Sequence, residues 1–325
     1  MSERAEQNES WLVIPFYSDP SLSTYSTTLD RFGAFAQKAK EITGLRLAVI
    51  DDGSHLTLEN LNSTPDILVN LPSNIGKAAA MRVGLKNLLD NQGNLGFIVQ
   101  YDGDGDQSYI DIPVVHQRLL DISDADPDIP TLVIGDRYSE DLQTPPNPES
   151  VVYRQTILMF FGAIAKELGF TNVRDWVSGA RGYTKNYAEE FLARSKSDRY
   201  GLESDQLVIA SLVGARVSTA FLTESRPRDP HTLTSKWLQN FEVYSDHDKA
   251  LRQAGKGALV DLIGNLVSNL KAEPNIFTLD LKPIGEDTEI KFTRIDDRYT
   301  AEIPAEFRAR LFVVGSQFPF TIKKP

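Results

Sequence analysis

The sequence predicts an α/β protein, with a mostly parallel sheet flanked by helices and a C-terminal α+β extension. Two observations carry that prediction. Through the first half of the 325 residues, short apolar runs alternate with amphipathic stretches at helical spacing. Loops rich in aspartate and glycine stand directly after two of those runs, where the strands of an open α/β sheet present their carboxyl ends to a ligand crevice.

Trp11–Phe16 is the first apolar run and reads as a strand. Thr28–Lys40 has helical apolar spacing, and Leu45–Ile50 and Ile67–Leu71 are the next two strands. Lys77–Leu89 returns to helical spacing, and Phe97–Tyr101 is the fourth strand. Pro113–Ile122 is a helix whose proline falls in the first turn, where a missing N–H is tolerated. Thr131–Ile134 is the fifth strand, Gln143–Pro148 a proline-rich loop, and Tyr153–Gly169 a strongly apolar helix. Ser178–Tyr183 reads as a glycine-punctuated loop, Asp205–Val213 as a helix and Ala215–Leu222 as a strand. From His231 the texture changes to an amphipathic helical region reaching about Leu270, then to alternating segments at Ile276–Leu281, Glu289–Ile295 and Tyr299–Ile303. The expected division is a polar tail over 1–10, a principal domain over 11–229 and an extension over 230–325, with the boundary near Asp229-Pro230.

Composition removes several classes of function. With 34 Lys and Arg against 45 Asp and Glu, the net charge of -11 argues against nucleic acid as a partner. The absence of cysteine excludes disulfides, thiolate metal sites and cysteine nucleophiles, and the histidines at 55, 116, 231 and 247 form no zinc pattern. Any bound metal is therefore expected on oxygen ligands. The longest apolar stretch, Ile157–Ala165, is too short to cross a bilayer, and Met1–Ser10 lacks the form of a signal peptide, so the expected location is the cytoplasm.

The chemistry-bearing segments stand after strands and at helix starts. Asp102-Gly103-Asp104-Gly105-Asp106 places carboxylates on a tight turn after the fourth strand, suited to a divalent cation bridging to a phosphorylated substrate. Such runs also make plain turns. A calcium loop is excluded, because Gln107 stands where it needs glycine and Pro113 where it needs the closing glutamate. Asp51-Asp52-Gly53-Ser54 follows the second strand and offers a carboxylate to a base or ribose, or simply a turn. Asn74-Ile75-Gly76-Lys77 opens a helix and brings a lysine and backbone N–H groups toward phosphates, although Leu71 replaces the first glycine of a P-loop. Arg137 closes a strand and Arg154 begins a helix, positions suited to forked contacts with a diphosphate or to ion pairs. Glu203 and Asp205 lie at a helix start, where capping is their ordinary role.

In their order along the chain these segments are more specific than each alone. From Trp11 to about Asp229 the sequence resembles family 2 glycosyltransferases of the GT-A fold, most closely the subgroup with dolichyl-phosphate mannose synthases and bacterial polyprenyl-phosphate glycosyltransferases. The matching segments are Ile14-Pro15-Phe16-Tyr17, Asp51–Ser54, Asn74–Arg82, Asp102–Gly105, Asp111-Ile112-Pro113, Val133–Arg137, Arg154 and Ser178–Tyr183.

The resemblance implies a nucleoside-diphosphate sugar donor and a Mg²⁺ or Mn²⁺ held by Asp102 and Asp104. Asp106, which with Gln107 replaces the subgroup's frequent Gln-His, adds a carboxylate nearby. It implies that Pro15, Tyr17, Asp52 and Lys77 line the donor side, and that Arg137, Arg154 and Arg181 serve donor or acceptor phosphates. Ala180 departs from the family's common aromatic residue, which leaves the acceptor site's shape open. Transfer is expected to invert the anomeric centre, onto a polyprenyl phosphate or a soluble hydroxyl. A hydroxyl acceptor needs a base, and Glu203 or Asp205 is the candidate. The amphipathic stretch Leu233–Leu270 suits a core-packing helix or a peripheral membrane contact. A catalytically inactive sugar-nucleotide-binding protein is the alternative. A nucleotidyltransferase is disfavoured, because residues 14–19 contain no glycine.

Overall fold

The computed structural model describes residues 9–61, 65–103, 107–137, 162–173, 175–223, 234–284, 289–295 and 298–302. Seven strands form the main sheet: β1 (Glu9–Phe16), β2 (Arg46–Asp51), β3 (Ile67–Asn70), β4 (Leu95–Gln100), β5 (Thr131–Asp136), β6 (Arg181–Thr184) and β7 (Arg216–Phe221). Their order is β3-β2-β1-β4-β6-β5-β7, and all pairs are parallel except those of β6, which runs antiparallel to both β4 and β5. The mixed α/β class with a mostly parallel sheet flanked by helices is the one expected.

The period of two along β1 explains why this strand is apolar throughout. Trp11 and Val13 enter one core cluster, Leu12, Ile14 and Phe16 the other, so both faces are covered. Helices α1 (Tyr25–Thr43) and α3 (Ile112–Ser123) belong to the second layer, burying Leu29, Phe32 and Ala36 from the one, Val115 and Leu119 from the other. Helices α2 (Lys77–Asn91), α4 (Lys185–Arg194) and α5 (Leu202–Leu212) cover the first, through Ala78, Met81, Leu85, Tyr187, Phe191, Leu207 and Val208. α1 stops at Gly44, whose φ of 65° is left-handed and whose N–H bonds to the Lys40 carbonyl.

Two elements differ from expectation. Residues 181–183 of the expected loop belong to β6, and α4 was not foreseen. Arg-Gly-Tyr-Thr has no apolar run, because Gly182 lies under α3, where a Cβ would stand 3.2 Å from Val115. Of the expected helix Tyr153–Gly169, residues 162–167 are helical with Ala163, Ile164 and Ala165 buried, and residues before 162 lie outside the described ones.

Beyond the main sheet come α6 (Thr234–Asp246), α7 (Asp248–Gln253) and α8 (Gly257–Ala272), then an antiparallel sheet of β8 (Ile276–Asp280), β9 (Glu289–Ile295) and β10 (Arg298–Glu302). The amphipathic stretch turns its apolar face into the protein: Phe241, Tyr244, Leu259, Leu262, Ile263 and Leu266 are buried in the same cluster as Trp11 and Trp176. The expected boundary at Asp229-Pro230 lies outside the described residues. No described helix is long and apolar enough to cross a membrane.

Candidate functional site

The loops after β2, before α2, after β4, before β6 and before α5 meet at the carboxyl edge of the sheet. At the end of β2, Asp51 is buried and accepts the N–H groups of Ser54 and Leu56, both at 2.8 Å, which folds the chain into a turn. Gly53 takes φ 87°, and a Cβ there would stand 2.5 Å from Ser73 C and Asn74 N, so only glycine lets the two loops touch. Asp52 binds across that junction, one oxygen accepting Ile75 N–H at 2.7 Å and the other Gly76 N–H at 2.9 Å. Burial pushes its carboxyl above the ordinary range, although those two N–H groups pull the other way. The expected base or ribose reader thus already organises the loop that precedes α2.

That helix start presents fewer donors than the sequence suggests. Ala78 N–H bonds to the Arg199 carbonyl at 3.2 Å and Ala79 N–H to the Asp198 carbonyl at 3.0 Å. The close approach depends on Gly76 at φ 98°, where a Cβ would fall 2.4 Å from Asp198 O. With Ile75 and Gly76 bound to Asp52, two N–H groups of the segment expected to face phosphate have protein partners, as do those of Ala78 and Ala79 in the helix it opens.

The lysine of that segment joins the site together. Lys77 Nζ lies 2.7 Å from Asp102 Oδ1, after β4, and 2.6 Å from Glu203 Oε1, in the first turn of α5. Burial disfavours its charge, but the two carboxylates outweigh burial and hold the ammonium above the ordinary lysine range. Asp102 is pressed on its other side by Gly179, where a Cβ would stand 2.0 Å from Oδ2. The same two loops meet again where Gln107 Nε2 donates to Ser178 Oγ at 3.2 Å. Asp104 and Asp106 lie outside the described residues, and no three His, Asp or Glu side chains gather for a metal among the described ones.

The remaining expected residues divide. Arg137 forks onto the fully buried Asp175, with Nε to Oδ2 at 2.7 Å and Nη2 to Oδ1 at 2.8 Å. Removing one partner of such a buried pair costs about 3–5 kcal/mol. Arg181 opens β6 fully buried, its Nε on the Ser178 carbonyl at 3.0 Å, its Nη2 on the Trp176 carbonyl, and its Nη1 without a protein partner. Burial pulls its guanidinium below the ordinary arginine range, against the charges of Glu203, Asp175 and Asp102. Asp205 is buried with both oxygens engaged: Oδ2 by Ser195 Oγ at 2.5 Å and by the N–H groups of Lys196 and Ser197, Oδ1 by His247 Nε2 at 2.7 Å. Pro15 is buried beside Ile50 of β2, Tyr17 is 47% exposed, and Arg154 lies outside the described residues.

Sequence reasoning missed the polar layer beneath Lys77 and Glu203. Gln100 ends β4 opposite Arg181 and accepts Gln206 Nε2 at 3.0 Å, both glutamines being fully buried. The signal was available as a glutamine inside an apolar run, Phe-Ile-Val-Gln-Tyr.

Neither a protein-family model nor a curated protein matches the chain. Among solved structures, glucosyl-3-phosphoglycerate synthase from Mycobacterium tuberculosis in complex with phosphoglyceric acid is 15% identical, with 75% of this chain and 81% of that chain covered at a TM-score of 0.48. The complex of that synthase with Mn²⁺, uridine-diphosphate-glucose and phosphoglyceric acid gives 15%, 76% and 81% at 0.48. A 4-diphosphocytidyl-2C-methyl-D-erythritol synthase from Anaerococcus prevotii is 12% identical, with 72% and 97% covered at 0.40.

Proposed function

We propose that the protein is an inverting glycosyltransferase that moves a sugar from a nucleoside-diphosphate donor to a hydroxyl or phosphate acceptor. The reading rests on Lys77, whose ammonium joins the Asp102 loop to Glu203 at the carboxyl edge of the sheet. One ion thereby links the place for a leaving diphosphate to the place for a base.

The carboxylates fit a hard divalent cation. Asp102 sits in a cradle that a single Cβ on residue 179 would fill, and Asp104 and Asp106 follow it with oxygen donors only. Asp102 and Asp104 would hold a Mg²⁺ or Mn²⁺, which would supply offsetting charge for a departing diphosphate. Lys77 and Arg154 contact the diphosphate, while Pro15, Tyr17 and the loop held by Asp52 border the nucleoside. The acceptor oxygen bonds to the anomeric carbon as the bond to the diphosphate oxygen breaks, and the bonding pair leaves with the diphosphate. From a hydroxyl acceptor the proton passes to Glu203, since Asp205 is occupied by Ser195, Lys196, Ser197 and His247. A polyprenyl phosphate acceptor is already anionic and releases no proton.

The test is release of nucleoside diphosphate from a panel of sugar nucleotides with Mn²⁺ or Mg²⁺, with a hydroxyl or a polyprenyl-phosphate acceptor present. Glu203→Gln should slow transfer to a hydroxyl roughly a hundredfold or more and transfer to a phosphate much less. No turnover of any donor by wild-type protein contradicts the reading.

A further inference from the structure

The extension that follows the main sheet touches the site through one buried pair. His247, 5% exposed, directly follows α6, and its Nε2 donates to Asp205 Oδ1 at 2.7 Å. Asp205 Oδ2 in turn gathers Ser195 Oγ, Lys196 N–H and Ser197 N–H. The next two residues, Asp198 and Arg199, supply the carbonyls that bind Ala79 and Ala78 at the start of α2. The extension holds this segment and the residues just after it at further points: Lys196 Nζ donates to the Asp246 carbonyl at 2.5 Å, Tyr200 N–H to Gln239 Oε1 at 3.2 Å, and Ser204 Oγ of α5 to Asn240 Oδ1 at 2.7 Å. Gly201 lies flush against α6, where a Cβ would stand 2.7 Å from Val243 Cγ2 and 3.0 Å from the Gln239 carbonyl.

We propose that His247 is a positioning residue of the site: through Asp205 it fixes the 195–199 segment that caps α2, and so holds Lys77 between Asp102 and Glu203. The extension is then part of the working site. Its importance for turnover rests on the glycosyltransferase reading, whereas its effect on Lys77 does not. The physical reason lies in the cap. Asp198 and Arg199, whose carbonyls align the Ala79 and Ala78 N–H groups, directly follow Asp205's hydrogen-bonded neighbours, so loosening the Asp205 anchor lets the first turn of α2 fray, and Lys77 is the first residue of that turn.

Two readouts in full-length protein test this, one independent of activity. In His247→Ala, amine-specific labelling followed by mass spectrometry should show Lys77 reacting several-fold faster, while exposed Lys86 and Lys271 keep their wild-type rates. His247→Gln, which retains a donor, should restore slow Lys77 labelling. Gln239→Ala, which removes a milder tie to Tyr200, directly after that segment, should raise the Lys77 rate in a protein whose melting is close to wild type. Where wild-type protein turns over a sugar nucleotide, His247→Ala should lower kcat by about tenfold or more with partial recovery in His247→Gln, as expected for misplaced reacting groups. Unchanged Lys77 labelling in His247→Ala overturns the proposal. So does a rise shared equally by all lysines in Gln239→Ala. Selective Lys77 labelling without any sugar-nucleotide turnover supports the positioning role and overturns only the glycosyltransferase reading.

Discussion

A methyl group on residue 179 would stand 2.0 Å from Asp102 Oδ2 and 2.4 Å from Oδ1. Gly179→Ala therefore has to displace the carboxylate or the loop before β6, at the cost of overpacking, about 1–3 kcal/mol. We expect this variant to stay folded and to lose about tenfold or more in Mn²⁺-dependent sugar-nucleotide affinity, each tenfold being about 1.4 kcal/mol. Calorimetry at wild-type affinity would show that Asp102 has no part in binding. At this scale the sequence was informative where chemistry and position coincide. Asp102 and Lys77 were readable as a strand-end carboxylate and a helix-start lysine, and they meet. Their link to Glu203 was not readable, because 126 residues separate Lys77 from Glu203 and no local pattern records that contact. Arg137 looked like a phosphate ligand for the same reason that it suits Asp175: a planar fork matches any pair of oxygens.

Among the elements, the strands with uninterrupted apolar runs were legible, and β6 was not. β6 takes its burial from α3 above Gly182 and its edges from β4 and β5, so its identity is fixed by neighbours rather than by composition. The start of α2 was legible as a helix start, but its donors are covered by a segment more than 100 residues later in the chain. Asp66 shows how one side chain sets the register of such elements. Preceding β3, it accepts Leu47 N–H of β2 at 2.8 Å and pairs with Lys40 near the end of α1 at 2.9 Å. Burial pushes its carboxyl up, but the Leu47 N–H and the Lys40 ammonium outweigh it and hold the group below the ordinary 3.8. A carboxyl depressed in the folded state stabilises above its unfolded value, and that contribution disappears as pH falls through the folded value. Asp66→Asn should therefore melt below wild type at pH 7, with the difference shrinking once the pH drops under 3.8. A difference that is constant across that range in thermal melts would remove the charge from the explanation.

At the scale of the whole molecule, one apolar cluster runs from Trp11 of β1 through Trp176 to Tyr244, Leu262 and Phe292. Trp176 and Tyr244 meet edge to face at 6.5 Å between ring centres. Composition marked a change of texture near residue 230, but texture does not record which faces are shared. A chain ending at residue 229 would leave the partners of Trp176 and α5 facing water. It should fail to unfold cooperatively in denaturant, whereas a soluble fragment with a sharp transition would show that the extension is dispensable for folding. The proposed activity depends on a cation-dependent sugar-nucleotide site built on the loop after β4. Calorimetric titration of sugar nucleotides with and without Mn²⁺, into wild-type protein and Asp104→Asn, tests it most directly. Binding should require Mn²⁺ in the wild type and fall by about tenfold or more in the variant, which lacks one of the loop's carboxylates but keeps its melting temperature. Equal affinity with and without the cation, or an unchanged Asp104→Asn, would contradict it.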